Sequence, residues 1–558
     1  MSRLHNSETP EENSSQVLLS GSIINAALTF LSRILGMLRD VATAALFGIS
    51  ASVVFDAFVL AFRIPNLFRR LFGEGAISIS FLPAFCRQWS KNQDSAWELL
   101  TATVTMLSAI LGALTLVGVG SCLGYIFFFP GERLATHLIL IMMPYLFLIC
   151  QTAIFASALQ GLKSWLAPAL APIIMNLLWL WAVVVVAPQI GDARAQAYLL
   201  ASIVSLSAAL QLILQIAALR KYGYWFQRCL FNRMMSYWRR ATSGWIIMAT
   251  GLALLQVCVI SDSIVAWYSC PVGTVSSVFL AERLFEFPLG LIGISVATTI
   301  YPILNIHAAE KNLAAVKKDM SEALHLTLYW GLPATAGLFL ISVPLCQLLY
   351  EHGATTPDDT MRIGAVLAIY SSGVWAYCLS PIITRGFYSL GEIRTPAFIV
   401  FITSIINLAV NIILALTLSP QSLQYALALS TVICFTISTL LLGALWIRLL
   451  HKKQESGMYV IEAPKNGSAS NKRERSKARR RKKETPPPAH FSKFYQIICI
   501  VFSTAIMTIA GQKTLISFPQ EASTSAYLIK TVVTVSVCTV VYLSLMYFLG
   551  TPNQKSAS

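Results

Sequence analysis

Long apolar stretches constrain this chain more than any other feature of its sequence. An α-helix needs about 20 mostly apolar residues to cross the hydrocarbon core of a bilayer. About 14 such stretches follow one another along the chain, and only 12 % of the 558 residues are charged. The sequence therefore predicts an all-α polytopic membrane protein. The predicted transmembrane segments lie at residues 20–47, 52–72, 101–128, 134–160, 168–188, 196–219, 241–268, 276–304, 323–350, 362–386, 396–418, 424–449, 494–511 and 525–550.

The short connections between these segments predict how the helices are oriented. If the N-terminus lies inside the cell, most lysines and arginines of the loops fall on the cytoplasmic side, where such residues are enriched. The opposite loops then carry only Arg133, Arg194, Arg362 and Lys513. Both termini are therefore expected in the cytoplasm. The first 17 residues are polar and lack the apolar core of a signal peptide, so we expect a retained, disordered tail.

A basic segment interrupts the membrane pattern between the twelfth and thirteenth predicted helices. Nine of the twelve residues from Lys472 to Lys483 are basic, and three prolines follow at 486–488. This composition is typical of a flexible cytoplasmic linker. The favoured interpretation is a topology anchor that attracts anionic membrane lipids, and the alternative is binding of a partner or of nucleic acid. Much of the net charge of +16 is local to this linker, so the charge alone does not indicate a nucleic-acid partner.

No motif of metal, phosphate or acyl-transfer chemistry occurs in the sequence. The eleven cysteines are scattered and never spaced as CxxC, which favours small buried side chains over a disulfide framework or a metal site. A phosphate-binding GxxxxGK[ST] loop, HExxH and GxSxG are all missing. The sequence therefore predicts neither a catalytic site nor a metal site nor a cofactor.

Charged residues inside three predicted helices are the strongest functional signal. The first helix contains Arg33, Arg39 and Asp40, the stretch 56–74 contains Arg63 and Arg69 among other charges, and the eighth helix contains "AERLFEF". An arginine at the centre of a spanning helix costs about 2.5–3.5 kcal/mol if it faces lipid. These side chains must therefore face a hydrated cavity or pair with acids inside the protein.

Local pairing and ligand binding are the two interpretations of these charges. Arg39 can pair with Asp40, Arg69 or Arg70 with Glu74, and Arg283 with Glu286. The three helices nevertheless carry more arginine than acid, and guanidinium groups suit phosphates and carboxylates. Helical geometry puts Ser32, Gly36 and Arg39 on one stripe, whereas Arg33 lies about 120° from Arg39. Convergence of both arginines on one cavity therefore requires a bent helix or long side chains.

Two segments of the chain indicate an internal duplication. Residues 52–85 and 276–304 share an order of aromatic, charged, proline and small residues. They are the second and the eighth predicted helices, an even number of helices apart, so the two copies point the same way across the membrane. Parallel repeats of this kind are a known plan of transporters, with the substrate bound between them.

Four motifs are similar to those of a known family. "SRILGMLRD" (32–40), "FDAFVLAFRIPNLFRRLFGEGAISISFLPAF" (55–85), "AERLFEFPLGLIGISVATTIYPIL" (281–304) and "GFYSLGEIRTP" (386–396) resemble the MurJ/MviN family of lipid II flippases, within the multidrug/oligosaccharidyl-lipid/polysaccharide exporter superfamily. The resemblance implies two pseudo-symmetric six-helix lobes and a C-terminal helix pair that lines a groove for a polyprenyl tail. The implied segments are an N-terminal tail (1–17), the N-lobe (18–220), the C-lobe (221–450), the linker (451–491), the groove pair (492–550) and a C-terminal tail (551–558).

The same resemblance implies roles for individual residues. The substrate-binding positions of the family match Arg33, Arg39, Arg69, Arg283, Ser32 and Asn66, and its gating or charge-balancing acids match Asp56, Glu74 and Glu286. The implied function is a flippase, not an enzyme, that moves undecaprenyl-diphosphate-linked peptidoglycan precursor to the outer leaflet of the bacterial cytoplasmic (inner) membrane. The implied partners are lipid II, membrane lipids and proteins of cell-wall synthesis or division.

The driving force and the substrate leave alternatives open. The resemblance implies coupling to Na⁺ or to the membrane potential, and Asp262, Asn407 and Asn411 offer oxygen ligands for a cation. The competing interpretation of the two asparagines is that they form interhelical hydrogen bonds. The competing interpretation of Asp262 is that it pairs with an arginine or a backbone donor. The alternative functions are a flippase for another polyprenyl-linked glycan, a drug or cation antiporter, a membrane glycosyltransferase and a non-transporting scaffold of cell-wall synthesis. The surplus of arginine disfavours the antiporter, whose cavity should be rich in acids and aromatic residues. The short outer loops disfavour the glycosyltransferase, which should carry catalytic carboxylates on a large outer loop.

Overall fold

The computed structural model consists of α-helices and connecting loops. It describes residues 10–70, 76–129, 131, 133–226, 235–238, 245–455, 489–518 and 524–549. Contacts within these residues divide the chain into two compact units. The first comprises Met1–Trp267, Val272–Ser276 and His352–Thr356, and the second comprises Tyr268–Pro271, Ser277–Glu351 and Pro357–Ser558. The lobe, linker and tail boundaries expected from the sequence stay predictions.

The first unit is built from the helices of the N-terminal half. Asn92 and Asp192 begin two of them, because each side chain accepts hydrogen bonds from backbone N–H groups of the first turn. The helices are α1 (Pro10–Phe47), α2 (Val53–Phe68), α3 (Ala76–Trp89), α4 (Gln93–Phe128), α5 (Leu134–Gly161), α6 (Leu166–Trp181), α7 (Ala193–Arg220) and α8 (Trp245–Ser269). The short helix α3 has no counterpart among the predicted segments.

Aromatic side chains of α2 contribute to the core of the first unit. The Trp179 ring of α6 meets Phe58 and Phe62 edge-to-face, with ring centroids 5.3 and 5.4 Å apart, a favoured arrangement of aromatic pairs. Phe58 and Phe62 are almost fully buried. This packing fixes the rotation of α2, and so the direction in which its charged residues point.

The second unit contains the remaining helices, although residues 274–276, which begin the first of these helices, belong to the first unit. They are α9 (Thr274–Pro288), α10 (Ser295–Ala309), α11 (Leu313–Tyr350), α12 (Pro357–Ser371), α13 (Val374–Ser389), α14 (Arg394–Thr417), α15 (Pro420–Glu455), α16 (Ala489–Ser517) and α17 (Thr524–Phe548). A π-helical turn, Leu289–Ile294, follows Pro288 and joins α9 to α10. Gly293 in this turn is required by close packing, because a Cβ there would lie 2.8 Å from the Cα of Cys378.

Two apolar clusters hold the second unit together. One joins α10, α11, α13 and α15 around Met320, Phe387 and Trp446. The other packs α16 and α17 against α11, where the Tyr542 hydroxyl donates to the backbone oxygen of Tyr329 at 2.6 Å. The last helix pair is therefore an integral part of this unit.

The helices match the expected membrane pattern. Each predicted segment overlaps a helix, which confirms the all-α polytopic class. Within the described residues, ten helical stretches are long and apolar enough to cross a membrane, and the pair α12–α13, bent by 44°, makes eleven if it forms one span. Helix α2 has only 16 residues. The total of about 14 spans stays a prediction.

Candidate functional site

Arg39 lies in a buried polar cluster between α1 and α6. Its Nε and Nη2 donate to the Asp40 carboxylate at 2.9 and 2.6 Å, and its Nη1 donates to Asn176 Oδ1 at 3.1 Å. The guanidinium carbon lies 4.4 Å from the centre of the Trp179 ring, which adds a cation–π contact. Arg39 is 6 % exposed. The local pair with Asp40 is thus present, and it fixes the Arg39 side chain in place.

The stripe of Ser32, Gly36 and Arg39 faces Asn176. The Asn176 amide donates to the Ser32 backbone oxygen at 2.9 Å. It also lies 3.6 Å from the position that a Cβ would take at Gly36, so the small residue lets α6 approach. Arg33 points elsewhere and is exposed. The structure therefore does not bring Arg33 and Arg39 to the same face of α1.

Asp56 on α2 binds the start of α9. Its Oδ2 accepts the backbone N–H of Gly273 at 2.7 Å, and its Oδ1 accepts the backbone N–H and the hydroxyl of Ser276 at 2.7 and 2.6 Å. The first turn of a helix leaves such N–H groups without an intrahelical partner and favours negative charge. Asp56, which is 3 % exposed, therefore acts as an N-terminal cap supplied by another helix.

The segment His352–Thr356, called the strap below, packs against the end of α1 in the same unit. The Ala354 N–H donates to the Ala45 carbonyl at 2.8 Å, and the Thr355 hydroxyl donates to the Ala44 carbonyl at 2.9 Å. Gly353 has a φ of +62°, and a Cβ there would collide with Ala45. Glycine is therefore needed for this approach.

The second half of α2 and the residue Arg69 that follows its end take part in two polar contacts. The Arg69 Nε donates to Asn66 Oδ1 at 2.8 Å, so Asn66 orients Arg69, and both side chains are half-buried. One turn earlier, Arg63 is 7 % exposed, and its Nη1 donates to the Val259 carbonyl of α8 at 3.3 Å. Glu74 lies outside the described residues.

Arg283 and Glu286 form an ion pair on α9 in the second unit. Arg283 Nη1 lies 3.3 Å from Glu286 Oε2, and the two side chains are 28 % and 42 % exposed. The guanidinium also lies 4.7 Å from the centre of the Phe279 ring. The predicted i,i+3 pair is present, and its partial exposure leaves it open to competition by an external anion.

The two asparagines of the predicted cation site bond to each other and to a serine. The Asn411 amide donates to Asn407 Oδ1 at 3.4 Å, and the Ser430 hydroxyl donates to Asn411 Oδ1. Both asparagines are buried, and the Asn407 Nδ2 atom has no hydrogen-bond partner. This arrangement matches the interhelical hydrogen bonds that were the competing interpretation. Asp262 lies in the first unit, half-buried on α8.

An apolar groove of about 1000 Å³ opens in the second unit between the α9–α10 region, α11 and the last helix pair. Leu291, Ile300, Trp330, Leu338 and Met507 are among its lining residues. Asp319 and Glu322 also line it, and Asp319 Oδ2 lies 3.1 Å from His307 Nε2. A single long hydrocarbon chain fits the chemistry of this lining.

Some residues that hold the charged side chains were missed by sequence reasoning. Asn176 and Trp179 fix Arg39, Ser276 binds Asp56, and the Val259 carbonyl accepts a hydrogen bond from Arg63. Asn176 offered a signal, because it is a polar residue inside the apolar stretch "PIIMNLLWLW". Ser276 and Trp179 offered none, because their types are ordinary at such positions.

Two helical units that carry arginines on their helices and an apolar groove define a polytopic membrane transporter. Solved structures share this fold. An inward-facing multidrug resistance MATE transporter aligns with a TM-score of 0.62 at 11 % identity, covering 78 % of this chain and 99 % of its own. The lipid II flippase MurJ in an inward closed conformation aligns with a TM-score of 0.69 at 23 % identity, covering 94 % and 98 %. At these identities, both alignments establish a similarity of fold alone.

Sequence similarity gives the particular family. The family model described as "Lipid II flippase MurJ" matches residues 43–462. A probable lipid II flippase MurJ of Bdellovibrio bacteriovorus is 30 % identical over 458 residues, covering 79 % of this chain and 84 % of the relative. Another, from Rhizobium meliloti, is 32 % identical over 426 residues, covering 74 % and 77 %. The chain belongs to the MurJ family, which confirms the resemblance seen in its motifs, and it is a transporter rather than an enzyme.

Proposed function

We propose that this protein translocates lipid II, the undecaprenyl-diphosphate-linked peptidoglycan precursor, from the cytoplasmic to the outer leaflet. The groove is the observation that carries this proposal. A diphosphate headgroup loses its hydration at a large cost when it enters hydrocarbon, whereas a polyprenyl tail does not. An apolar groove beside α16 and α17 lets the tail stay in apolar surroundings while the headgroup crosses in water. The relatives named as lipid II flippases support this choice of substrate.

The headgroup is bound by guanidinium groups. Arg33 is exposed, and Arg69 and Arg283 are half-buried, so all three guanidinium groups are accessible to phosphate or carboxylate oxygens. Arg39 takes part only after it leaves Asp40 and Asn176. Ser32 and Asn66 assist by holding Asn176 and Arg69 in place.

Acidic residues return the site to its empty state. Glu286 already pairs with Arg283 at 3.3 Å, so it competes with the substrate and prevents binding so tight that turnover stops. Asp56 and the strap have a different role. Asp56 binds the start of α9, and the strap binds the end of α1, both within the first unit. Alternating access requires these contacts to break and re-form, as bistable packing does in other switching proteins. Glu74 is assigned a charge-balancing role from its motif.

A cation gradient or the membrane potential drives the cycle. Asp262 offers a charged oxygen ligand to the coupling cation, and Asn407 and Asn411 offer neutral oxygen ligands when their hydrogen bonds rearrange. Oxygen ligands of this type suit Na⁺ or a proton. Direct participation of the membrane potential needs only that charge moves across the membrane during the cycle.

The protein resides in the bacterial cytoplasmic (inner) membrane with both termini in the cytoplasm. The asymmetry of lysine and arginine between the loops supports this orientation. The basic stretch Lys472–Lys483 then lies at the cytoplasmic surface, where it attracts anionic membrane lipids. Proteins of cell-wall synthesis or division are further partners, since the product is consumed at the outer surface.

The proposal is tested by the translocation of labelled lipid II in vesicles that contain the purified protein. R33A, R69A and R283A should each lower the rate at least tenfold at equal protein content. R133A is the matched control, because Arg133 lies in a short loop and makes no side-chain capping bond. Translocation of a different polyprenyl-linked glycan in place of lipid II would establish the alternative flippase. If the wild type moves neither lipid, a scaffold role replaces transport.

A further inference from the structure

Aromatic rings join four helix ends of the first unit. Phe85 and Trp89 come from the end of α3, Trp97 from the start of α4, Phe155 from the last two turns of α5, and Tyr224 follows the end of α7. Neighbouring rings of this cluster have centroids 5.0 to 6.1 Å apart. Trp97 and Tyr224, whose rings are 5.4 Å apart, are both buried. The cluster therefore fixes the chain just after α7 against three other helices.

The residues on either side of Tyr224 are exposed instead. Trp225 is 67 % exposed and Phe226 is 65 % exposed, and Tyr222 is exposed as well. The guanidinium carbon of Arg220 lies 5.1 Å from the centre of the Trp225 ring, which makes a cation–π contact. Exposed aromatic rings next to a cation are typical of the membrane–water interface, where aromatic side chains lie among the lipid headgroups.

The same helix ends carry five exposed cations. They are Arg87 on α3, Lys91 in the α3–α4 turn, Lys163 in the turn after α5, Arg220 at the end of α7, and Lys221 directly after it. The turn after α5 lies beside α3, because a Cβ at Gly161 would be 3.0 Å from the Phe85 ring. None of the five cations makes an ion pair with a residue that the structure describes.

Acids are scarce around these cations. The sequence stretches 76–104, 150–165 and 210–226, which form the four helix ends, contain only Asp94 and Glu98. Glu98 is engaged, because its Oε2 accepts the Tyr237 hydroxyl at 3.0 Å. Cations therefore outnumber acids five to two at this end of the first unit, and an anionic partner complements its charge.

We propose that Arg220, Lys221, Tyr222, Trp225 and Phe226, called the interfacial corner below, dock onto a surface of anionic phospholipids. The exposed rings enter the headgroup layer, and the two cations contact its phosphate oxygens. Lipid II transport is not needed for this docking, which goes beyond the proposed function.

The position of the interfacial corner favours lipid over other anions. The corner begins where α7 ends, and α7 is long and apolar enough to cross a membrane. The exposed rings therefore lie at the depth of the headgroups, where a lipid surface covers them and a free anion does not. In the proposed orientation this end faces the cytoplasmic leaflet, whose anionic lipids attract basic residues next to a transmembrane helix.

Quenching of Trp225 fluorescence by brominated lipid tests the docking directly. The purified protein is placed in bilayers of equal parts phosphatidylglycerol and phosphatidylcholine, with bromine on only one of the two lipids. The emission of Trp225 is the difference between the wild type and W225F. We expect brominated phosphatidylglycerol to quench this emission about twofold more strongly than brominated phosphatidylcholine. Absence of quenching by either lipid, or equal quenching by both, would overturn the proposal.

The melting temperature in detergent provides a matched control. Phosphatidylglycerol should raise the melting temperature of the wild type by several degrees, and R220Q/K221Q and W225S/F226S should each lose most of this rise. K311Q/K317Q should keep it, because Lys311 and Lys317 are exposed cations of the second unit that stack on no ring among the described residues. An equal loss in K311Q/K317Q would mean that positive charge in general attracts the lipid, and the proposal would be wrong.

Two other anions separate a lipid surface from the alternative partners. Inorganic phosphate and polyglutamate, each at the ionic strength of the lipid sample, should raise the melting temperature much less than phosphatidylglycerol does. A rise with inorganic phosphate as large as that with the lipid would indicate a site for a free anion. A larger rise with polyglutamate would indicate an acidic protein as the partner. Either result would overturn docking onto lipid.

Discussion

Asp56 and Ser276 lie 220 positions apart in the sequence, yet the Asp56 carboxylate accepts both the backbone N–H and the hydroxyl of Ser276, at 2.7 and 2.6 Å. Together with the Gly273 N–H, three donors converge on one buried carboxylate. Helix α9 has no acid in its own first turn. The N–H groups of Gly273 and Ser276 are therefore satisfied by a residue of α2, within the first unit.

Removal of this cap should destabilise the protein in proportion to the bonds that are lost. D56A removes all three bonds and should cost about 1–2 kcal/mol, whereas S276A removes only the hydroxyl bond and should cost less. Thermal unfolding of the purified proteins, monitored by loss of the monodisperse peak in detergent, ranks the two variants. An effect of D56A no larger than that of S276A would contradict the role of Asp56 as the cap of α9.

The Arg39–Asp40 pair should show the signature of a buried ion pair. D40A leaves a guanidinium that is 6 % exposed without its acid, and we expect a cost of about 3 kcal/mol or more. In R39L/D40A, neither charge remains, so much of the stability should return. The same thermal-unfolding measurement compares the stabilities of the two variants. Equal instability of D40A and R39L/D40A would mean that Asp40 matters through its other contacts.

The helices were predictable from the sequence because their signal is local. A run of apolar residues needs no distant partner to favour a helix in a bilayer, and each predicted segment overlaps a helix. The i,i+3 pair of Arg283 and Glu286 was predictable for the same reason, since helical spacing alone brings the two side chains together. Helix α3 was missed because its 14 residues are too few to cross a membrane.

The tertiary partners of the charged residues were not predictable in this way. Asn176 lies 137 positions from Arg39, and Val259 lies 196 positions from Arg63. Such contacts depend on how helices rotate and pack, which periodicity does not determine. The substrate-binding roles came from the family resemblance, which names positions and not geometry. It therefore gave no sign that Arg39 is buried against Asp40 and Trp179 while Arg33 is exposed.

Docking of the strap should depend on glycine at position 353. G353A adds a Cβ that collides with Ala45 and must also adopt a φ of +62°, so it should lower the melting temperature and the translocation rate together. Gly391 provides the control, because its φ is +78° but a Cβ there would meet nothing within 4 Å. G391A should therefore show only the conformational cost of about 1 kcal/mol. Similar behaviour of the two variants would show that the strap contact is dispensable.

Filling the groove should block transport without unfolding the protein. Gly337 lines the groove, and a Cβ added there would meet nothing within 4 Å, so G337W places an indole in open space. We expect lipid II translocation to fall at least tenfold while the melting temperature changes little. F339W is the matched control, because Phe339 lies two residues away, is 51 % exposed and does not line the groove. A polyprenyl tail that occupies the groove must be displaced by the indole, since both are apolar and compete for the same volume. If G337W translocates lipid II as fast as F339W, the tail crosses elsewhere and the groove has another purpose.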